Sequence, residues 1–254
     1  MIFALAASGV VVAFMQTLVV PIVAVLPDLL DAAPSDASWA ITVTLLTSAV
    51  VTPVGGRLGD LYGKRPVFLA SLALLVVGSV IAAAGITLQT VIIGRGIQGF
   101  AMAVIPLGIS IMRDVLPPRR ASNGIALMST TLGMGGAIGM PVAAVVAQQA
   151  SPAMLFWIAA VLGVLAFGVA WRLVPTGARG SAARFDVPGT VGLAVGLVCL
   201  LLAITKGSTW GWASPTTLGL FTASAVVLTG WTCSSCVPVT RWWTSGRRRV
   251  ARCC

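Results

Sequence analysis

The sequence predicts an all-α integral membrane protein of about eight transmembrane helices, and three observations carry that prediction. Of its 254 residues 58% are hydrophobic and only 9% are charged, with a mean hydropathy of +1.02, whereas soluble globular chains carry about 25% charged residues. Apolar runs of roughly 20 residues, enough to cross a bilayer at about 1.5 Å per residue, recur along the chain between charged or Pro/Gly/Ser clusters. Lys and Arg fall almost wholly in alternate gaps between those runs, as the positive-inside rule requires of a threaded chain. The net charge of +10 is thus explained by topology. No nucleic-acid partner is implied, because the basic residues are dispersed singly through the gaps except in the last stretch.

The first span runs from Ile2 to Leu26, with Gln16 as its only strongly polar side chain. It has no charged leading region and no small-residue cleavage site, which favours a retained span over a removed signal peptide. Pro27 to Ser38 carries Asp28, Asp31 and Asp36 without Lys or Arg and reads as an outside loop. Trp39 to Leu58 forms the second span, its Trp placed at the interface where amphipathic rings are favoured. After a charged loop, a third span is expected from about Val67 to Ile86 and a fourth from about Leu88 to Met112, joined by a very short turn at Thr87-Leu88-Gln89-Thr90. Arg113, Asp114, Arg119 and Arg120 surround Pro117-Pro118, and Ala121 to Trp171 holds a fifth and a sixth span broken near Gln148 to Pro152. Val187 to Thr205 and about Pro215 to Trp231 are the seventh and eighth, separated by Lys206 to Ser214. One set of gaps holds Arg57, Lys64, Arg65, Arg113, Arg119, Arg120, Arg172, Arg179 and Arg184, and the opposite set only Lys206. The first set, with Met1 and Trp231, is expected on the cytoplasmic side.

Three stretches carry candidate chemistry. Gly56-Arg57-Leu58-Gly59-Asp60-Leu61-Tyr62-Gly63-Lys64-Arg65 crowds charge and glycine between two spans. Its Asp belongs at the membrane surface, since burial in hydrocarbon would cost several kcal/mol. A merely topogenic turn would need Lys and Arg but neither this Asp nor these glycines. Arg95 is the one charge deep in a span, with Gln98 three residues on and on the same helical face. Such an Arg faces the protein interior or water and often belongs to a substrate or proton path; the alternative is a structural Arg bridging loops or backbone carbonyls. In the fifth span Gly133, Gly135, Gly136, Gly139 and Pro141 remove side chains, which permits close helix approach and a bend.

The pattern G-x-L-x-D-x-x-G-K-R resembles the signature loop between the second and third spans of the major facilitator superfamily of transporters, and R-x-x-Q-G in the fourth span resembles that family's second motif. Phe185-Asp186-Val187-Pro188-Gly189 opening the seventh span and Gly211-Trp212 closing it are similar to the fourteen-span drug:proton antiporter branch. The fifth span departs from the antiporter pattern G-x-x-x-G-P-x-x-G-G, because Met140 separates Gly139 from Pro141. A first-span Asp usual in that branch is absent. Gln16 stands as the comparable group, and a neutral amide can hydrogen-bond but cannot carry a titrating proton.

The resemblance implies a major facilitator fold, with residues 1–172 an amino-terminal six-span bundle, 173–186 a cytoplasmic connector and 187–231 two additional spans. It implies proton-coupled efflux of amphipathic or cationic drugs in an intact parent. The implied roles are a gating latch at Gly56, Asp60, Gly63, Lys64 and Arg65, proton coupling at Arg95 and Gln98, a substrate cavity at Gln16 and Thr17, and helix packing at Gly133, Gly136, Gly139 and Pro141. The proton gradient is the energy source, with no cofactor. A metabolite facilitator or uptake carrier, or a non-transporting membrane fragment, are the rival readings. A membrane enzyme is disfavoured because the chain has no His and no pair of carboxylates within its spans. Metal and disulfide chemistry lack support, since four of five Cys follow Trp231.

Residues 232–254 change composition abruptly, supplying those four Cys, Trp242, Trp243 and five Arg. Such a tail is what a GC-rich reading frame yields when misread, so 232–254 is expected to be an aberrant, disordered segment and the natural protein to continue with a second bundle absent from this chain. A zinc-binding tail is the poorer reading, because Cys253 and Cys254 are adjacent and no His is present. Without a second bundle the 254 residues are expected not to transport alone.

Overall fold

The computed structural model describes residues 1–30, 33–85, 87–149, 151–175 and 187–235. Among them every regular element is helical: α1 (Ile2–Leu30), a short α2 (Pro34–Ala37), α3 (Trp39–Tyr62), α4 (Lys64–Ala84), α5 (Leu88–Gln98), a 3-10 segment (Gly99–Ala103), α6 (Val104–Val115), α7 (Pro118–Gln149), α8 (Pro152–Leu173), α9 (Val187–Trp210) and α10 (Pro215–Ser235). α3, α4, the composite helix Leu88–Val115, α7, α8 and α9 are long and apolar enough to cross a membrane. α1 has 29 residues and α10 has 21, and 21 residues span about 31 Å. Two compact units divide the chain, residues 1–185 and 186–254.

Local sequence sets the helix starts. Thr87 Oγ1 accepts from Thr90 N–H at 3.2 Å while Thr90 Oγ1 accepts from Thr87 N–H at 3.1 Å, a capping box that begins α5. Pro152 starts α8 after an extended Ser151, where a missing N–H costs nothing. Ser214 Oγ accepts from Thr217 N–H at 3.3 Å and caps α10. The fourth span is α-helical at both ends but 3-10 between Gly99 and Ala103. Pro106 explains the tightening, because it has no N–H to give to Met102 and its ring crowds that carbonyl.

Several expected boundaries move. The charged loop expected at 56–65 is mostly helix: α3 continues through Tyr62, α4 begins at Lys64, and the turn is confined to Gly63 at φ +99°, a conformation that favours glycine. Backbone hydrogen bonds do not stop where hydrocarbon does, so a helix can carry charged residues into the headgroup region. α9 likewise continues through Trp210, so Lys206 is helical and buried, not in a loop. α7 is continuous across Pro141. α10 ends at Ser235, so residues 232–235 are helical; 236–254, and connector residues 176–186 with Arg179, Arg184, Phe185 and Asp186, lie outside the described residues.

In lipid, apolar surface gains little by association, so helices hold together by close packing at small residues. In the first unit a Cβ on Gly78 would fall 2.6 Å from Gly94 O, and one on Gly94 2.6 Å from Gly78 O, so α4 and α5 cross backbone to backbone. Gly55, Gly59 and Gly163 instead make room for side chains, those of Ala103, Leu107 and Leu75. Phe68, Leu72, Leu75, Leu107 and Met112 are fully buried between these crossings. Val77 and Val80 of α4 and Val161, Val164 and Leu165 of α8 are exposed, as a hydrocarbon-facing surface allows. The start of α1, the α3–α4 turn and the ends of α6 and α8 share one end of the unit, tied by Lys64 to Asp114, by Arg65 to Trp171 and by Ile2 near Gly124. The second unit is an antiparallel hairpin in which Gly196 packs on Leu228 and accepts from Ser224 Oγ at 2.9 Å.

Candidate functional site

Arg95 lies in the third turn of α5, flanked by Gly94 and Gly96, and is 3% exposed. Its Nη1 donates to Gln98 Oε1 at 2.7 Å and to the carbonyl of Met15 at 3.3 Å, and its Nη2 donates to Gln16 Oε1 at 3.3 Å. Gln98 Nε2 passes the chain on to Ser79 Oγ at 2.7 Å, which itself donates to Leu75 O. Thr44 Oγ1 donates to the carbonyl of Arg95 at 3.2 Å. Gln16 of α1 and Gln98 of α5 thus meet one cation inside the helix bundle, while α4 reaches it through Gln98 and α3 holds the backbone of Arg95. Arg95 Nε is buried without an acceptor among the described residues, and no carboxylate there pairs with the guanidinium. A buried cation held only by neutral acceptors is costly, and its orientation is fixed by the fork of donors rather than by an opposing charge. Beside it a narrow gap is lined by Met15, Leu18, Leu155 and Phe156.

The structure brings together Gln16, Arg95 and Gln98 and adds Ser79, which the sequence reading missed. A serine seven residues into an apolar run, in register with Gln98 across the Gly78–Gly94 crossing, was its only signal. Thr17 is not brought to this network. Its hydroxyl donates to Phe14 O at 2.9 Å and reaches Gly135 O at 3.4 Å, so it faces α7.

At the basic end, Lys64 Nζ lies 2.5 Å from Asp114 Oδ2 and 4.0 Å from Asp60 Oδ1. Asp114, at the end of α6, is the nearer partner and was not among the expected latch residues, because 50 residues separate it from Lys64. Arg65 Nη2 donates to Trp171 O at 2.7 Å and ties α4 to the end of α8. Gly63 makes the turn, whereas Gly56 has nothing within 4 Å of a Cβ position, and Gly59 takes the close contact instead.

The glycines of α7 divide similarly. A Cβ on Gly135 would lie 2.5 Å from Ala13 Cβ, and one on Gly139 would meet Thr17 and the carbonyl of Phe14, so these two face α1. Gly136 makes only an ordinary contact with Thr17, Gly133 meets nothing within 4 Å, and Pro141 is exposed. Among the described residues no group of His, Cys, Asp or Glu could hold a metal ion.

A family model described as Major Facilitator Superfamily matches residues 5–188. The chain is similar to an uncharacterised MFS-type transporter of Mycobacterium tuberculosis, 32% identical over 232 residues, covering 89% of this chain and 33% of that protein. It is also similar to the tetracenomycin C resistance and export protein of Streptomyces glaucescens, 30% identical over 206 residues, covering 80% of this chain and 38% of that protein. The chain therefore spans about a third of the length of these relatives. Among solved structures it is similar to the POT family transporter PepTSo, at a TM-score of 0.65 and 17% identity, over 93% of this chain and 52% of that one, a likeness of fold.

Proposed function

Because the chain belongs to the major facilitator superfamily, a family of transporters and not of enzymes, we propose that it is the amino-terminal part of a cell-membrane antiporter that expels amphipathic small molecules in exchange for protons. The observation that carries the reading is the buried network of Arg95, Gln98 and Gln16. An intramembrane cation that faces the bundle interior and joins separate helices is placed for a substrate or proton path. A guanidinium does not release its proton near neutrality, so Arg95 acts by its charge, biasing a carboxylate or substrate brought against it. The six carboxylates of this chain, Asp28, Asp31, Asp36, Asp60, Asp114 and Asp186, all lie toward the ends of spans or between them. The titrating group on this reading belongs to the second bundle of the whole transporter.

Drug export is supported by the resistance and export protein among the relatives. The basic end, with the Lys64–Asp114 and Arg65–Trp171 contacts, is the cytoplasmic gate of the proposal, and Met1 lies on that side. Alternating access rocks two bundles about a mid-membrane cavity, so one six-span bundle and a hairpin do not transport alone. The test is dye efflux from energised vesicles carrying the whole transporter. Arg95→Ala is expected to abolish the proton-driven component and Arg95→Lys to keep part of it, since the charge survives without the planar fork. Efflux by Arg95→Ala with an unchanged dependence on the proton gradient would refute the coupling role.

A further inference from the structure

At the basic end of the first unit, the junction between α6 and α7 holds a groove of about 510 Å³. Its size falls within the range of about 300–1,000 Å³ typical of small-molecule sites. Two prolines make the junction. Leu116 is extended, as a residue before proline favours, so α6 stops at Val115 and α7 restarts at Pro118. The lining divides by chemistry: Arg113 and Ser122 are its polar part, Leu116, Pro118, Ala121 and Ile125 its apolar part, and no carboxylate lines it.

Arg113 is exposed and has no hydrogen bond or ion pair among the described residues. The carboxylate beside it in sequence, Asp114, is taken by Lys64 at 2.5 Å. Arg119 and Arg120, in the first turn of α7, are exposed and also without a partner among the described residues. Three cations gathered at one helix junction repel one another, and an anion among them relieves that repulsion. The hydroxyl of Ser122, which likewise bonds to no described residue, adds a neutral donor to the same lining. Depth in the membrane follows from the helix. Ile125 lies seven residues, about 10 Å, into α7, and Leu132, seven further on and so on the same face, is exposed. The groove therefore opens among charges at the span ends and leads down an apolar face. The matching ligand is anionic at one end and hydrocarbon at the other.

We propose that this groove seats an anionic glycerophospholipid, its phosphate against Arg113 and Ser122 and its first acyl carbons over Leu116 and Ile125. Guanidinium and phosphate are complementary in charge and in planar donor geometry. Arg119 and Arg120 do not line the groove but add to the field that draws an anionic headgroup to it. The lipid would tie the end of α6 to the start of α7, one residue from the Asp114 that Lys64 holds. The site is independent of the transport reading and of which side of the membrane the basic end faces.

Native mass spectrometry of the 254-residue chain, with equal phosphatidylglycerol and phosphatidylcholine of identical acyl chains, tests the proposal. The unaltered chain is expected to retain phosphatidylglycerol preferentially. Arg113→Gln should reduce that retention about fivefold, the factor for one basic side chain at an anionic surface. Arg172→Gln, which removes the same charge at an exposed position at the end of α8, should leave it. Ser122→Phe, also at an exposed position, fills the groove without altering charge and should release the lipid, which keeps the test sound if Arg113→Gln misfolds. Equal retention of the two lipids, equal loss in Arg113→Gln and Arg172→Gln, undiminished retention in Ser122→Phe, or displacement by inorganic phosphate would each overturn the proposal.

Discussion

Lys64 has two carboxylates within reach, and distance decides between them: 2.5 Å to Asp114 against 4.0 Å to Asp60. Both aspartates are more than half exposed, so either pair contributes only about 0.2–1 kcal/mol to stability. The same energy weighs more in a gate, because 1 kcal/mol shifts a two-state population about fivefold. Asp114→Asn in the whole transporter is therefore expected to change the efflux rate more than Asp60→Asn, with thermal unfolding scarcely altered in either. A larger effect of Asp60→Asn on efflux rate would contradict the primacy of the nearer pair. The sequence made Asp60 visible by its neighbours Lys64 and Arg65, but it could not show Asp114, whose relation to Lys64 exists only after α4 and α6 have packed. Arg95 and Gln98 were legible for the opposite reason: three residues apart on one helix, they must share a face.

At the scale of elements, glycines that look alike in sequence do different work. Gly78 and Gly94 let two backbones touch, while Gly133 has nothing within 4 Å of its Cβ position. Gly78→Ala is expected to destabilise the chain by about 1–3 kcal/mol through overpacking. Gly133→Ala is expected to be neutral or to add up to about 1 kcal/mol, the helix-propensity gain of losing a glycine. Unfolding of both variants in detergent, followed by circular dichroism, checks the sign; equal effects would contradict the crossing. Helix starts were legible where the sequence carries a cap or a proline, as at Thr87, Pro152 and Pro215. Helix ends are not, because the second span is expected to stop at Leu58, ahead of Asp60 with its cost in hydrocarbon, and the backbone of α3 continues regardless through Tyr62. The 3-10 segment before Pro106 was open to the same reading of proline but is hidden within an uninterrupted apolar run.

For the whole molecule, the first unit gathers Lys64, Arg65, Asp114 and the ends of α6 and α8 at one end and buries Arg95 in its interior. The proposed cytoplasmic gate requires that end to face the cytoplasm. Charge counting across the spans predicts the basic end on the cytoplasmic side. Labelling of single cysteines tests this most directly on the chain itself, in a background whose native cysteines are replaced by serine. Ala33→Cys lies between α1 and α3, and Ser122→Cys in the first turns of α7, both at exposed positions. An impermeant maleimide added to intact cells is expected to label Ala33→Cys at once and Ser122→Cys only after the membrane is permeabilised; labelling of Ser122→Cys with protection of Ala33→Cys would contradict the orientation and the cytoplasmic gate with it.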